Sequence, residues 1–185
     1  MIFEPEEEKS LMGMVLTASP DMLDPNFNQT LVFIAEHGAE GALGLVMNRP
    51  LGRKLGEATS SDEVPDALRE VFLFQGGPVK PTGLLFARFQ RGSSDEQLRC
   101  EIFADPEKLI ESPKSVGWLR VFVGHAGWQA GQLEAELRER AWIVRRPHTA
   151  MLEEPMPPAL WHAFVGEDQR WRKLVALLPK ATGLN

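Results

Sequence analysis

Residues 121–140 read VFVGHAGWQAGQLEAELRER, and the middle of this stretch, Gly124 to Trp128, decides how the chain is interpreted. An apolar run precedes it, and apolar residues then recur at helical spacing: Ala130, Leu133, Leu137 and Ala141. The pattern predicts a strand that ends in a glycine turn, followed by a helix of about four turns that begins at Trp128. Glu136 and Arg140 are predicted to form an i,i+4 ion pair on the outer side of that helix.

The glycine turn has two interpretations. Gly124 can adopt a positive φ, and the first-turn amides of a helix carry partial positive charge, so the turn could hold an anion with His125 at its rim. Alternatively, Gly127 and Gly131 lie one helical turn apart and let the helix approach a sheet, while Trp128 packs beneath. The sequence leaves both interpretations open.

A β-hairpin is predicted upstream of this stretch, with strands near residues 29–36 and 43–48 joined by the glycine-rich link HGAEGA. Pro50 is expected to end the second strand because it lacks an amide hydrogen. Asn48 and Arg49 close that strand, whereas Glu36 and His37 lie beside the link, so His37 and Arg49 are not expected to be neighbours. Polar residues that end an apolar strand indicate a site, since burying them without partners is costly. Arg49 is also consistent with a structural clamp that binds backbone carbonyls.

The rest of the chain shows further strands and helices without a repeat or an interdomain linker. Strands are predicted near residues 11–18, 71–75, 83–89, 98–104, 118–124 and 142–146. Helices are predicted near residues 64–71, 105–111, 157–165 and 169–178. Because strands and helices mix rather than alternate strictly, we expect an α+β fold with a mixed sheet, and one domain over residues 1–185.

Composition limits the kind of protein this is. Hydrophobic residues make up 43% and charged residues 25% of the 185 residues, which is typical of a globular protein. Four glutamates stand among the first ten residues and the following apolar run is short, so we expect neither a secretory signal nor a membrane span. The single cysteine excludes an internal disulfide and favours a cytoplasmic location.

Charge is unevenly distributed and bears on nucleic-acid binding. The net charge is −6; residues 1–137 carry 12 Lys and Arg against 21 Asp and Glu, whereas residues 138–185 carry 8 against 5. An acidic protein repels DNA phosphates overall, so direct nucleic-acid binding is not expected. The basic tail is better interpreted as a solvated helical face, with a DNA-binding patch as the alternative.

Familiar catalytic patterns are missing from the sequence. There is no GxSxG, HExxH or CxxC motif, and GGPV at residues 76–79 is a tight turn rather than a phosphate loop. The four histidines lack ligand spacing, so neither a metal nor another cofactor is expected. Cys100 alternates with polar neighbours in a strand and is predicted to be a buried, inert thiol.

Four blocks together resemble the AlgH/YqgE family of bacterial proteins: SPDMLDPNF, EHGAEGALGLVMNRP, GGPV and GHAGWQAGQLEAEL, in this order. The resemblance extends from about Gly13 to Leu178. It implies a bifurcated or partly barrel-like sheet surrounded by helices. Family members usually have tyrosine where this chain has His125, which argues against a catalytic role for His125. Some members are called transcriptional regulators. Because this chain is acidic and shows no DNA-binding motif, indirect regulation through a protein or a small ligand suits it better.

Three hypotheses follow. The favoured one is a non-catalytic, regulatory binding protein that takes an unknown protein or a small anionic ligand. Its candidate site consists of Asn48, Arg49, Gly124, His125, Gly127 and Trp128, with Glu36 and His37 as secondary candidates. The second is a hydrolase-like enzyme that uses His37 or His125 as its base. The third is DNA binding through the basic C-terminal helices.

Overall fold

A computed structural model describes residues 10–59, 64–94, 97–111, 117–153 and 160–166. The strands in these ranges are β1 Val15–Ala18, β2 Leu31–Gly38, β3 Gly41–Val46, β4 Pro50–Lys54, β5 Phe72–Gln75, β6 Val79–Arg91, β7 Leu98–Phe103, β8 Trp118–Gln129 and β9 Trp142–Arg145. The helices are α1 Leu55–Ala58, α2 Asp66–Arg69, α3 Pro106–Glu111, α4 Gln132–Arg138, α5 Leu160–Val165 and a 3-10 helix Thr149–Leu152.

All of these strands belong to one mixed sheet. Its order is β4-β5-β8-β3-β2-β1-β9, and β6 with β7 branches from β8. The first half of β8 pairs in parallel with β5 and antiparallel with β6, whereas its second half pairs with β3. The sheet curls into a half-barrel with a few short helices. The predicted α+β fold with a bifurcated mixed sheet is therefore confirmed.

Local pairings follow the sequence prediction closely. The β2–β3 hairpin and the antiparallel β6–β7 pair are both present. The strand near Pro50 is the exception: β3 ends at Val46, but a further strand, β4, begins at Pro50 and was not predicted. Proline is tolerated there because it is the first residue of an edge strand, where its missing amide hydrogen breaks no ladder. The helix predicted near residues 169–178 lies outside the described residues.

Three hydrophobic clusters position the site. The first contains Phe33, Phe89 and Phe122 and reaches α5 through Phe164. The second is built around Trp128, Leu133 and Trp142, between α4 and the β1–β2–β3 part of the sheet. The third packs side chains of α1, α2 and α3 against β5, β6 and β8. The stretch GHAGW runs from the end of the third cluster into the second.

Candidate functional site

The GHAGW stretch lies inside a strand, so the predicted strand-to-helix turn is wrong. β8 continues through it to Gln129, and Leu43 and Ala42 of β3 pair with Gly127 and Trp128. Helix α4 begins only at Gln132. Because residues 126–129 join a β-ladder, their amides are not the first-turn amides of a helix, and the predicted helix-terminus anion site is not formed. Residues 126–129 pair with the free edge of β3 instead of forming the helix that their sequence pattern predicts.

Gly124 of GHAGW and the two glycines of GGPV serve a close backbone crossing. A Cβ on Gly124 would lie 2.5 Å from the carbonyl oxygen of Gly77, and a Cβ on Gly77 would lie 2.4 Å from the backbone nitrogen of Ala126. Gly124 has a φ of +70° and Gly77 a φ of +150°. No side chain fits between these two backbones. The two motifs, predicted separately, form one junction at which β5, β6 and β8 meet.

Asn48 and Arg49 hold the preceding loop, residues 24–30. The Asn48 side chain accepts a hydrogen bond from the Leu31 amide at 2.9 Å and donates one to the Gln29 carbonyl at 2.8 Å. The Arg49 guanidinium donates to three backbone carbonyls, those of Pro25, Asn26 and Asn28. These contacts are those of the structural clamp. A ligand-binding role for Asn48 and Arg49 stays a prediction.

The clamped loop connects Arg49 to Trp128. Phe27 of this loop stacks on Trp128 with ring centroids 6.2 Å apart and meets Trp142 edge-on at 5.4 Å. Asn48, Arg49 and Trp128 therefore belong to one packed unit. His125 is separate from it, because His125 and Trp128 point to opposite faces of β8.

Replacing Arg49 by alanine is expected to lower the free energy of unfolding by about 2 kcal/mol, since three charge-assisted hydrogen bonds to the loop are lost. The matched variant Arg49→Lys keeps the charge but not the planar fork, so we expect it to recover less than half of the loss. Urea unfolding of both variants measures this. Full recovery by lysine would show that charge alone matters.

His37 and Glu36 occupy different environments. His37 is held on both ring nitrogens: Nδ1 accepts a hydrogen bond from the Leu11 amide at 3.1 Å, and Nε2 lies 2.8 Å from Oε1 of Glu134. Glu36 is exposed and is not the carboxylate that His37 contacts. As predicted, His37 lies beside the hairpin link, paired with Ala42. The proposal that His37 or His125 acts as a catalytic base stays a prediction.

His125 faces a lysine that the sequence interpretation missed. His125 pairs with Val79 across the β6–β8 ladder, and burial together with the charge of Lys80 lowers the pKa of His125. Neither Lys80 nor the His125 ring has a hydrogen bond or an ion pair within the described part of the chain. Lys80 also has a φ of +48°, a conformation that costs energy for a residue with a side chain. In the sequence, the position of Lys80 directly after GGPV could have indicated that it lies near the glycine junction.

The sequence also predicted the wrong partner for Glu136. Instead of pairing with Arg140 on an outer helical face, its Oε2 accepts hydrogen bonds from Nε1 of Trp128 at 2.9 Å and from Nε1 of Trp142 at 2.7 Å. Arg140 lies beyond the end of α4, with a φ of +60°. The i,i+4 prediction assumed a helix long enough to include both residues.

Two further predictions concern Cys100 and metals. Burial raises the pKa of the Cys100 thiol to about 12, which makes it a poor nucleophile.

In the ranges that the structure covers, no three His, Cys, Asp or Glu side chains form a group that could hold a metal ion. None of the helices in these ranges is long and apolar enough to cross a membrane. Part of the basic tail lies outside them, so DNA binding stays a prediction.

Comparison with known proteins identifies the family. The profile of the AlgH-like family matches residues 15–172. The chain belongs to this family. This AlgH-like chain is 35% identical to a UPF0301 protein of Streptomyces coelicolor, over 97% of each chain. It is 36% identical to the UPF0301 protein AlgH of Pseudomonas aeruginosa, over 77% of this chain and 80% of AlgH. The resemblance found in the sequence is confirmed.

Solved structures agree with the assignment. The solution structure of AlgH from Pseudomonas aeruginosa superimposes with a TM-score of 0.67 at 28% identity, over 96% of this AlgH-like chain and 98% of AlgH. A crystal structure of a Corynebacterium diphtheriae protein gives a TM-score of 0.63 at 23% identity, over 85% and 86% of the two chains. The second likeness shows the shared fold only.

Proposed function

We propose that this protein is a non-catalytic binding protein that takes a small anion, or an acidic group of a protein partner, between His125 and Lys80. The observation that carries the proposal is the unpaired state of these two neighbouring side chains within the described residues. An anion between them would neutralise Lys80 and accept a hydrogen bond from the imidazole.

The surroundings of the pair support binding. Val79 and Leu84 pair with His125 and Val123 across the β6–β8 ladder, and both are 37% exposed. Gly127 lies on the same face as His125, and its missing side chain leaves the imidazole accessible from that direction. A ligand with an acidic head and an apolar body would fit this surface. The strained backbone of Lys80 fits a functional position better than a structural one.

This surface supports an indirect regulatory role. In that role this cytoplasmic protein acts on transcription through the ligand or partner that it binds, without catalysis. Its net charge of −6 disfavours direct contact with DNA. The glycine junction gives the surface a rigid frame, because the backbones beneath it are in direct contact.

Lys80→Gly separates binding from stability. Glycine adopts a positive φ without strain, so this variant is expected to be as stable as the parent or up to about 1 kcal/mol more stable, yet to bind anions at least about fivefold more weakly. Inorganic phosphate and a glutamate-rich peptide are the probes, followed through the His125 ring resonances by NMR. Lys108→Gln, which removes one exposed positive charge on α3, is the matched control and should bind normally.

The pH dependence gives the same experiment a second readout. The pKa of free His125 is lowered, and a bound anion raises it, so binding takes up a proton and affinity rises as the pH falls from neutral to mildly acidic. For this readout the glutamate-rich peptide is the probe, because phosphate itself titrates in this range, and binding is followed through the backbone amides of Val79 and Lys80. His125→Gln should abolish the pH dependence. If Lys80→Gly and Lys108→Gln weaken binding equally, the anion is attracted by general charge and the proposed site is wrong.

A further inference from the structure

His37 connects three parts of the protein that the proposed binding surface does not use. It lies on β2, its side chain is only 7% exposed, and it contacts both the segment Ser10–Leu11 and helix α4. Nδ1 accepts the Leu11 amide, so this nitrogen carries no proton and the ring proton resides on Nε2. Nε2 therefore donates to Glu134. The two contacts fix one neutral tautomer.

We propose that His37 is a pH-sensitive latch that holds the segment Ser10–Leu11 on the hairpin when neutral and releases it when protonated. Protonation adds a hydrogen to Nδ1, which turns the acceptor into a donor facing the Leu11 amide. That hydrogen bond is lost. The contact with Glu134 is kept and becomes an ion pair. The cost of protonation thus falls on the segment and not on α4.

Charged side chains stand on two of the elements next to His37. Glu134 and Arg138 lie on α4, and Glu36 and Glu40 lie on the hairpin; residues 10–14 carry no charge. The pKa of Glu134 is lowered by a hydrogen bond from its own backbone to its carboxylate and by the contact with His37. Glu134 is therefore a carboxylate throughout the pH range in which a histidine titrates. Protonation therefore exchanges the Leu11 hydrogen bond for an ion pair with a carboxylate that is already charged.

Neighbouring contacts limit how far the release extends. The Ser10 hydroxyl donates to the His37 carbonyl at 3.3 Å, an exposed and long contact. The Gly13 amide donates to the Ile34 carbonyl at 2.8 Å, which holds the chain into the sheet independently of the imidazole. The latch therefore acts before Gly13. It controls Ser10 and Leu11, the first residues that the structure describes.

NMR of the full-length, ¹⁵N-labelled chain tests the latch. We expect the Nε2–H tautomer of His37 at neutral pH. On acidification, exchange protection of the Leu11 amide should fall by roughly five- to tenfold, the factor that one lost hydrogen bond corresponds to. The midpoint should match that of the His37 ring, while protection of the Gly13 amide stays constant. An Nδ1–H tautomer at neutral pH, or a Leu11 amide that ignores ring protonation, would overturn the proposal.

Two variants sharpen the test. In His37→Asn the side-chain oxygen takes the place of Nδ1 as acceptor and does not titrate, so Leu11 should stay protected throughout. Glu134→Gln leaves the ring in place but removes the charge that favours protonation, so the release midpoint should move to lower pH. An unchanged midpoint in Glu134→Gln would contradict the latch even if His37→Asn fails to fold.

Discussion

Gly124→Ala is expected to lower the free energy of unfolding by about 4 kcal/mol or more, which places it among the most damaging single substitutions. The new Cβ would lie 2.5 Å from the Gly77 oxygen and 2.9 Å from the Val79 oxygen. Both are backbone atoms, so no side-chain rotation relieves the overlap. Separating the strands would break the junction of β5, β6 and β8. Urea unfolding measures the loss, and insolubility of the variant would count as its extreme form.

Gly52→Ala is the matched control for this prediction. Gly52 has the same φ of +70°, but a Cβ there meets nothing within 4 Å. Its substitution isolates the backbone strain and should cost about 1 kcal/mol. If both alanine variants lose the same stability, the positive φ alone explains why position 124 requires glycine, and the close backbone crossing does not.

Glu136→Ala is the second large effect, with an expected loss of about 2 to 4 kcal/mol. One carboxylate oxygen accepts hydrogen bonds from two indoles that are 6% and 4% exposed, those of Trp128 and Trp142. Alanine leaves both donors in an apolar cluster without a partner, and burying an unpaired donor carries its full desolvation cost. Urea unfolding followed by tryptophan fluorescence reports on the cluster directly.

Two control variants test whether the indole hydrogen bonds cause the loss of stability in Glu136→Ala. Glu136→Gln keeps an acceptor oxygen without the charge, so it should lose only about 1 kcal/mol. Glu139→Ala removes an exposed glutamate just after α4 and should change stability by less than about 0.5 kcal/mol. A loss in Glu139→Ala comparable to that in Glu136→Ala would mean that general charge, and not the indole contacts, is responsible.

The expected outcomes separate the structural residues of the quoted motifs from the proposed binding residues. Backbone contacts explain Gly76, Gly77 and Gly124 structurally, and hydrogen bonds to the loop explain the Asn48–Arg49 pair. His125 and Lys80 have no such explanation within the described residues, so they carry the binding proposal. This separation gives the variants distinct expected outcomes: loss of stability at Gly124, and loss of binding with stability kept at Lys80.

Residue patterns predicted the parts of the fold that depend on neighbours in sequence. The β2–β3 hairpin has a short glycine link between two apolar runs, and the β6–β7 pair has alternating residues around Cys100. Both strands of each pair are close along the chain, so local pattern and final pairing agree. The candidate site was predicted less completely: His125 was named, but Lys80 and Glu134, which contact or face the predicted histidines, were not.

By itself, the sequence determined the α+β class, the hairpin, the paired strands and the family, because periodicity, turn residues and motif order are properties of the chain alone. Only the tertiary structure decided whether GHAGW is a turn or a strand. The edge of β3, more than eighty residues earlier, offers hydrogen-bond partners to residues 126–129. A helix would have left these partners unused, and buried backbone groups must be paired. Other long-range contacts set the rest of the site: the β6–β8 pairing placed His125 beside Lys80. The packing of α4 beside β8 and β9 made Glu136 the partner of two tryptophans.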